Sequence, residues 1–556
     1  MELSSYRKSN KKRSERVLIM VLRFGKGFVL STLISIFLTV GTSVAYAADF
    51  TTATYRLAVA EAAQEDKDIA SFYKDYSYQP LWTGRNREDR ERRTAFLSFL
   101  ETSDFHGLPR SKYGIEGLET RLKSAKTQAD LAVVEVEFTK AFLTFARDIQ
   151  TGVLKPKEVD EDIARKVPYR KRISYLTSLA ESTPSAYFRA LAPTSGEYIR
   201  LASEKFRLRA ILNGGDWGHD VPSGDLMGQG ARDERVPYIR NRLIVMGYLD
   251  RSFGNHFDAD VEAAIIEFQE DHGLKADGIV GPSTVEMLNM SAEDRLKAVM
   301  VAMERERWTN MERGQRHVLV NLTDFTAKIY DDGEITFQTR SVVGHPDEER
   351  RSPEFSDTIE HMVVNPTWNV PRSIATKEYL PLLKEDRFAL DYLNLLDPDG
   401  FIIDRQAVDF TEFTEEDFPF DIKQPPSNSN ALGLVKFMFP NRYNIYLHDT
   451  PAKSLFGEER RAFSHGCIRL QDPFDFAYAL LAVQSEDPQL EFLETLATGK
   501  ETTLPLQSHV PVHIIYRTAV GQADGRMQYR RDVYGRDAKI WDALEQAGVA
   551  LMGQDS

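Results

Sequence analysis

The chain has 556 residues, 42% of them hydrophobic and 28% charged, with a formal net charge of -14. That length is too great for one hydrophobic core and predicts about three folded units. The acidic balance argues against general affinity for nucleic acid, which needs clustered positive charge to displace counterions.

The N-terminus differs from the rest. Residues 1–26 carry eight Lys or Arg against Glu2 and Glu15, an apolar run follows from Phe28 to Val40, and Ala45-Tyr46-Ala47 offers a small-x-small cleavage site. This is the order of a secretory signal peptide, so residues 1–47 are expected to be a leader. The competing reading is an uncleaved inner-membrane anchor, but the apolar run is shorter than the ~20 residues a spanning helix needs. The mature chain is then expected to be exported, acidic and without a stable membrane span. Export makes Cys467, the single cysteine, informative, because it has no partner in the chain for a disulfide. A buried structural thiol is the ordinary reading of such a residue.

Residues 48–215 read as a helical scaffold. Phe138, Phe142, Phe145 and Ile149 recur at helical spacing, and Gly152 and Pro156 end that helix. Residues 216–290 read as a second unit. Val236, Ile239, Leu243 and Met246 form one stripe closed by Gly247. Asp258 caps a second helix carrying Val261, Ala264, Ile265 and Phe268, closed by Gly273. Asp277-Gly278 marks a turn, and Gly281-Pro282 opens a third helix. The phrase FDADVEAAIIEFQEDHGLKADGIVGPSTVEMLN resembles the peptidoglycan-binding domain 1 family, a three-helix bundle, which implies wall contact or a spacer beside a wall enzyme.

From His317 the texture turns to strand, over residues 291–535. His317–Asn321 alternates, and Ala327–Tyr330 and Glu334–Arg340 flank an Asp331-Asp332-Gly333 hairpin turn. Ile359–Val364 continues the strands, and residues 372–427 interrupt them with a polar, partly helical insertion too long for an ordinary loop. Strand texture resumes at Asn444–His448, and Pro511–Val520 is expected to pair with Arg526–Arg530 across Asp524-Gly525. Residues 536–556 read as a C-terminal tail. The fold class expected is multidomain α+β: helical scaffold, three-helix module, and a mostly-β domain with a capping insertion.

The stretch NIYLHDTPAKSLFGEERRAFSHGCIRL concentrates the chemistry. Acyl transfer needs a thiolate, an imidazole to take its proton, a group that fixes the imidazole tautomer, and N–H donors for the oxyanion. Cys467, one or both of His448 and His465, and Gly466 supply these parts. A lone His-x-Cys is weak evidence, and Arg469 has the plain alternative of pairing with Asp472. The coincidence of the only cysteine, in an exported chain, beside Gly and His with a second His on a nearby strand is what points to a nucleophile.

HDT followed by SHGCIR resembles the signature of the L,D-transpeptidase catalytic domain of YkuD type, and the likeness extends through NPTWNVP, FMFPNRYNIYLHDT and DGRMQYRRDVYGRD. With the scaffold and the wall module, nearly the whole mature chain resembles the large multidomain L,D-transpeptidases of Gram-negative bacteria, which implies a periplasmic location. The resemblance implies Cys467 as nucleophile and His448 as general base, oriented by the Asp449 carbonyl. It implies His465 as a second active-site histidine and the N–H groups of Gly466 and Cys467 in the oxyanion hole. Arg469, Ser464, Tyr443 and Trp368 are the candidate substrate-binding residues, and residues 372–427 are the cap. The implied reaction joins two peptidoglycan tetrapeptide stems through a Cys467 thioester with release of D-Ala, giving a diaminopimelate–diaminopimelate cross-link; carbapenems are implied to acylate Cys467. No cofactor or metal is implied, and a glycan polymerase or carboxypeptidase is the implied partner. The alternatives are a lysine-bearing outer-membrane protein, a free D-amino acid or water as acceptor, an unrelated cysteine peptidase, and a non-catalytic wall-binding scaffold.

Overall fold

The long helix Gln128–Thr151 organises the N-terminal region of the computed structural model, which describes residues 53–309 and 313–552; the leader expected at 1–47 lies outside them. Thr127 and Asp130 form a reciprocal capping box that satisfies the first free amides. The predicted stripe Phe138, Phe142, Phe145 and Ile149 is fully buried, and Trp82 packs on Phe138 and Phe142 with ring centroids 5.9 and 5.5 Å apart. The same helix buries Glu135, whose carboxylate accepts from the Tyr73 hydroxyl (2.7 Å) and the amides of Leu81 (2.6 Å) and Thr83 (2.8 Å). A buried carboxylate is tolerable only when its lone pairs are taken; here they fasten the loop at Leu81–Thr83 to the helix.

The three-helix module is present as Val236–Met246, Ala259–Asp271 and Pro282–Asn289. Asp258 caps the second helix by accepting from the Val261 amide (3.1 Å), Pro282 opens the third, and Gly247 ends the first in the left-handed region at φ 94°. The predicted stripes are its core.

A helix at Ala292–Trp308 joins the helical regions to the strands. It buries four consecutive charges. Arg307 pairs with Glu304 (2.8 Å) and donates to the His106 carbonyl (2.9 Å), while Arg305 pairs with Glu354 (2.6 Å) and Asp537 (3.1 Å) on the strand side. Asp537 begins the helix Arg536–Gln546, which buries Ile540, Trp541 and Leu544. The segment expected to be a tail is therefore an integral part of the core up to Val549. One hydrophobic cluster runs from Ile163 to Val549 through the module, so the expected boundaries at 215 and 290 fall inside a shared core, and the described residues belong to one compact unit.

The strands are β1 (Arg316–Asn321), β2 (Thr326–Asp331), β3 (Glu334–Gly344), β4 (Phe355–Val364), β5 (Trp368–Asn369), β6 (Asn394–Leu396), β7 (Asp421–Gln424), β8 (Val435–Met438), β9 (Leu447–His448), β10 (Ala462–Ser464), β11 (Ile468–Leu470), β12 (Thr502–Ile515), β13 (Ala519–Gly521) and β14 (Met527–Tyr529). The main sheet runs β10-β3-β11-β9-β8-β4-β12-β1-β2, and β2 also pairs with β3, so the ladder closes on itself as a barrel. The β2–β3 hairpin turns at Asp332 (φ 50°) and Gly333 (φ 89°), as its sequence predicts. Two strand expectations are corrected. The strand expected from Asn444 begins only at Leu447, because Asn444 sits at φ 53°. The strand expected at Pro511–Val520 is split. Its first part completes β12 against β4 and β1, and only Ala519–Gly521 pairs with β14. The insertion 372–427 adds β7 and β6 to β5, which precedes it, in a small sheet β5-β7-β6 over a core of Leu380, Leu383, Leu395, Phe418 and Ile422.

Candidate active site

β9 and β11 run parallel with Leu447 opposite Ile468 and His448 opposite Arg469. This register places the two halves of the motif side by side at one end of the barrel, with Cys467 just before β11.

His448 is buried, and its Nδ1–H donates to the carbonyl of Asp449 (2.5 Å). A carbonyl can only accept, so Nδ1 carries the proton of the neutral ring. The Leu432 carbonyl also faces the ring. Burial, aided by the Arg469 charge, holds the imidazole neutral down to about pH 3. Asp449 is itself fixed: its amide donates to the Val435 carbonyl (2.9 Å), and its carboxylate accepts from the Leu434 amide (2.9 Å) and Lys453 Nζ (2.7 Å). Gly433 makes room for that carboxylate, since a Cβ there would lie 2.3 Å from Asp449 Oδ2.

Cys467 is half-buried, and its Sγ–H donates to the Asn444 carbonyl (3.5 Å). Burial pushes the thiol up to about 11, opposed by hydrogen bonds from Tyr446 and by the Arg469 charge. The hydrogen bonds of His448 and Cys467 thus run to other groups, and the resting pair is a neutral thiol and a neutral imidazole. Arg469 forms no ion pair among the described residues, and its Nε is buried without a partner; Asp472 accepts instead from Thr339 Oγ1 (2.8 Å). The guanidinium is an uncompensated cation beside both groups.

The turn between β10 and β11 is braced from within. Gly466 has φ 106°, and a Cβ there would meet Ile445 Cδ1 at 3.1 Å, so only glycine fits. Its carbonyl accepts from Ser352 Oγ (2.6 Å), and its N–H donates to Ser464 Oγ (3.2 Å). The Gly466 amide, expected in the oxyanion hole, thus has its proton directed at Ser464. The Cys467 amide has no partner among the described residues. Ser464, expected to touch substrate, is 2% exposed and donates to the Cys467 carbonyl (2.5 Å), so it shapes the turn instead.

His465 is exposed, and its Nε2 lies 2.7 Å from Glu378 Oε1. Glu378 belongs to the insertion, in a π-helical segment Ala375–Tyr379 just ahead of Pro381, whose missing N–H interrupts the ordinary ladder. It also pairs with Arg350 (3.3 Å). Trp368 clusters with Ile374 and Leu432 against Tyr446, which borders the thiol. Tyr443 does not join them: it packs on Phe355 with ring centroids 5.1 Å apart and lines a separate cavity. Sequence reading missed Asn444, Tyr446, Glu378, Lys453 and Gly433. Among the described residues no cluster of His, Cys, Asp and Glu is placed to hold a metal ion.

Comparison with known proteins gives three family matches along the chain. Residues 67–204 match "Scaffold domain", residues 232–288 match "Putative peptidoglycan binding domain", and residues 315–490 match "L,D-transpeptidase catalytic domain". A curated protein of Haemophilus influenzae, "Putative L,D-transpeptidase", is 31% identical over 254 residues, covering 44% of this chain and 51% of that protein. The chain thus spans about half the length of the curated relative it matches. Two solved structures are also similar. One is an L,D-transpeptidase of Xylanimonas cellulosilytica (13% identity, 53% of this chain and 99% of that one, TM-score 0.18). The other is a fused Zn-dependent amidase/peptidase/peptidoglycan-binding protein of Clostridium acetobutylicum (12% identity, 52% and 99%, TM-score 0.15). Neither bears on the fold, which the strand pairings define by themselves. The chain carries a YkuD L,D-transpeptidase catalytic domain together with a peptidoglycan-binding module.

Proposed function

We propose that the protein forms diaminopimelate–diaminopimelate cross-links in peptidoglycan through a thioester on Cys467. The observation that carries the reading is the β9–β11 register, which sets a thiol and a tautomer-locked imidazole beside an unpaired arginine. Cys467 Sγ attacks the carbonyl of the L,D bond after diaminopimelate in a tetrapeptide stem. Its proton passes to the unprotonated Nε2 of His448 and on to the departing nitrogen, so D-Ala leaves as a neutral amine and the acyl group stays on sulfur. The side-chain amine of a second stem then attacks the thioester. The C–S bond breaks, an amide forms, and the amine's proton returns to the thiol.

The high resting pKa of Cys467 suits a thiol that ionises only as substrate displaces water and His448 accepts the proton. The Cys467 amide is the available oxyanion donor. Arg469, unpaired and close to both groups, fits a stem carboxylate. Glu378 holds His465 from the cap, tying residues 372–427 to the motif. Trp368 supports Tyr446 at the thiol. Wall-acting domains suggest an extracytoplasmic location, for which the basic leader would supply export; no helix among the described residues is long and apolar enough to cross a membrane. Incubation with disaccharide-tetrapeptide and mass analysis of the products tests the reading: a cross-linked dimer supports it, and tripeptide alone points to water as the acceptor.

A further inference from the structure

A cavity of about 490 Å³ opens where the 157–166 segment, the start of β4, the end of β12 and the 440–443 loop meet. None of Cys467, His448, His465 or Arg469 lines it. Six cations do, Lys157, Arg165, Lys166, Arg313, Arg442 and Arg517, against one carboxylate, Asp357, and Arg313 pairs with Glu306 (3.4 Å). Their charges are unequally compensated. Arg517 is neutralised by Glu197 (2.5 Å) and Glu306. Arg165 spends its protons on neutral acceptors, Ser356 Oγ (2.9 Å) and the Ile514 carbonyl. Lys166 and Arg442 form no ion pair among the described residues; Arg442 lies over the Tyr443 ring (4.8 Å) and donates to its hydroxyl (2.6 Å). Tyr443 and Phe355 give the cavity an aromatic wall.

Four cations without an ion pair among the described residues, Lys157, Arg165, Lys166 and Arg442, around an apolar wall form a local inversion of sign in a chain of net charge -14. A pocket of this size and lining takes a ligand with an apolar body and acidic groups, which the cationic rim would meet. The cavity also touches Asn441, which donates to the Ile445 carbonyl (2.8 Å) and so braces the loop whose Asn444 carbonyl accepts from the thiol. We propose that this cavity is a second binding site, distinct from the thiol, for a carboxylate-bearing peptide; taking that peptide to be a wall stem rests on the function proposed above. It would hold one stem while the thiol acts on another.

The test is titration calorimetry of the full chain as Cys467→Ala, so that a failed transfer reaction has no influence on it. The probes are a free tetrapeptide stem and inorganic pyrophosphate. A peptide-binding event is expected that weakens at least about tenfold in Lys166→Ala/Arg442→Ala and survives Arg469→Ala. Both cavity side chains are exposed, and such substitutions ordinarily shift stability by about 0.5 kcal/mol or less; the single charge reversal Lys166→Glu provides a second, independent weakening. The proposal is overturned if peptide binding is absent, or is lost in Arg469→Ala and unchanged in the cavity variants. Binding of pyrophosphate alone at the cavity would equally overturn the peptide assignment.

Discussion

Replacing Gly433 by alanine should damage the site from a distance, through Asp449. Gly433 stands at φ 61°, in the left-handed region, and an added Cβ would sit 2.3 Å from Asp449 Oδ2 and 2.4 Å from its Cβ. An alanine in that conformation costs roughly 1–2 kcal/mol. The carboxylate must also move, giving up the Leu434 amide (2.9 Å), and orphaning this partly buried donor costs about 1–3 kcal/mol at most. The Lys453 pair adds little because Lys453 is half exposed. The sum is a loss of roughly 2–5 kcal/mol, read as a lower urea midpoint. Because the same residue supplies the carbonyl that locks His448, product formation should fall by up to about a hundredfold, the lower end of what a positioned base contributes. Gly457→Ala is the control: nothing lies within 4 Å of its Cβ position, and the change should be neutral or slightly stabilising. A Gly433→Ala protein as stable and as active as wild type would show that Asp449 does not depend on the space Gly433 leaves.

The thiol's elevated pKa of about 11 predicts that iodoacetamide alkylation of the resting protein rises about tenfold per pH unit from 7 to 10; a plateau below pH 9 would contradict it. Arg469→Gln removes a cation that favours thiolate and disfavours imidazolium, so both pKa values should rise, alkylation should slow at every pH, and KM for a stem bearing free carboxylates should increase. An unchanged alkylation rate and KM would leave Arg469 without the proposed part. Glu378→Gln breaks a half-exposed pair worth about 0.2–1 kcal/mol, so the urea midpoint should hardly move while proteolysis within 372–427 accelerates; equal cleavage rates would show that the cap does not depend on this link.

The elements that follow simple periodicity were legible in the sequence. The Phe138–Ile149 stripe, the three module helices with Asp258 and Pro282 at their starts, and the Asp332-Gly333 hairpin all stand where spacing and turn chemistry put them. The helix Ala292–Trp308 and the one at Arg536 were harder for a definite reason. Glu304, Arg305, Arg307 and Asp537 look like surface charges in one dimension, and only partners far along the chain show them to be buried pairs. The motif gave Cys467, His448 and His465, but not what they touch. Ser464 turned inward because the Gly466 turn needed its hydroxyl, and Tyr443 turned to another cavity because Asn444 breaks the strand between it and His448. Glu378 carries no signal at all, since it meets His465 only through the folded insertion.

Incubating wild type and Cys467→Ala, side by side, with disaccharide-tetrapeptide and weighing the products shows whether Cys467 carries the acyl group. A dimer that has lost one D-Ala is expected in the wild-type reaction and none from the variant. An equal yield of that dimer from Cys467→Ala would contradict that role.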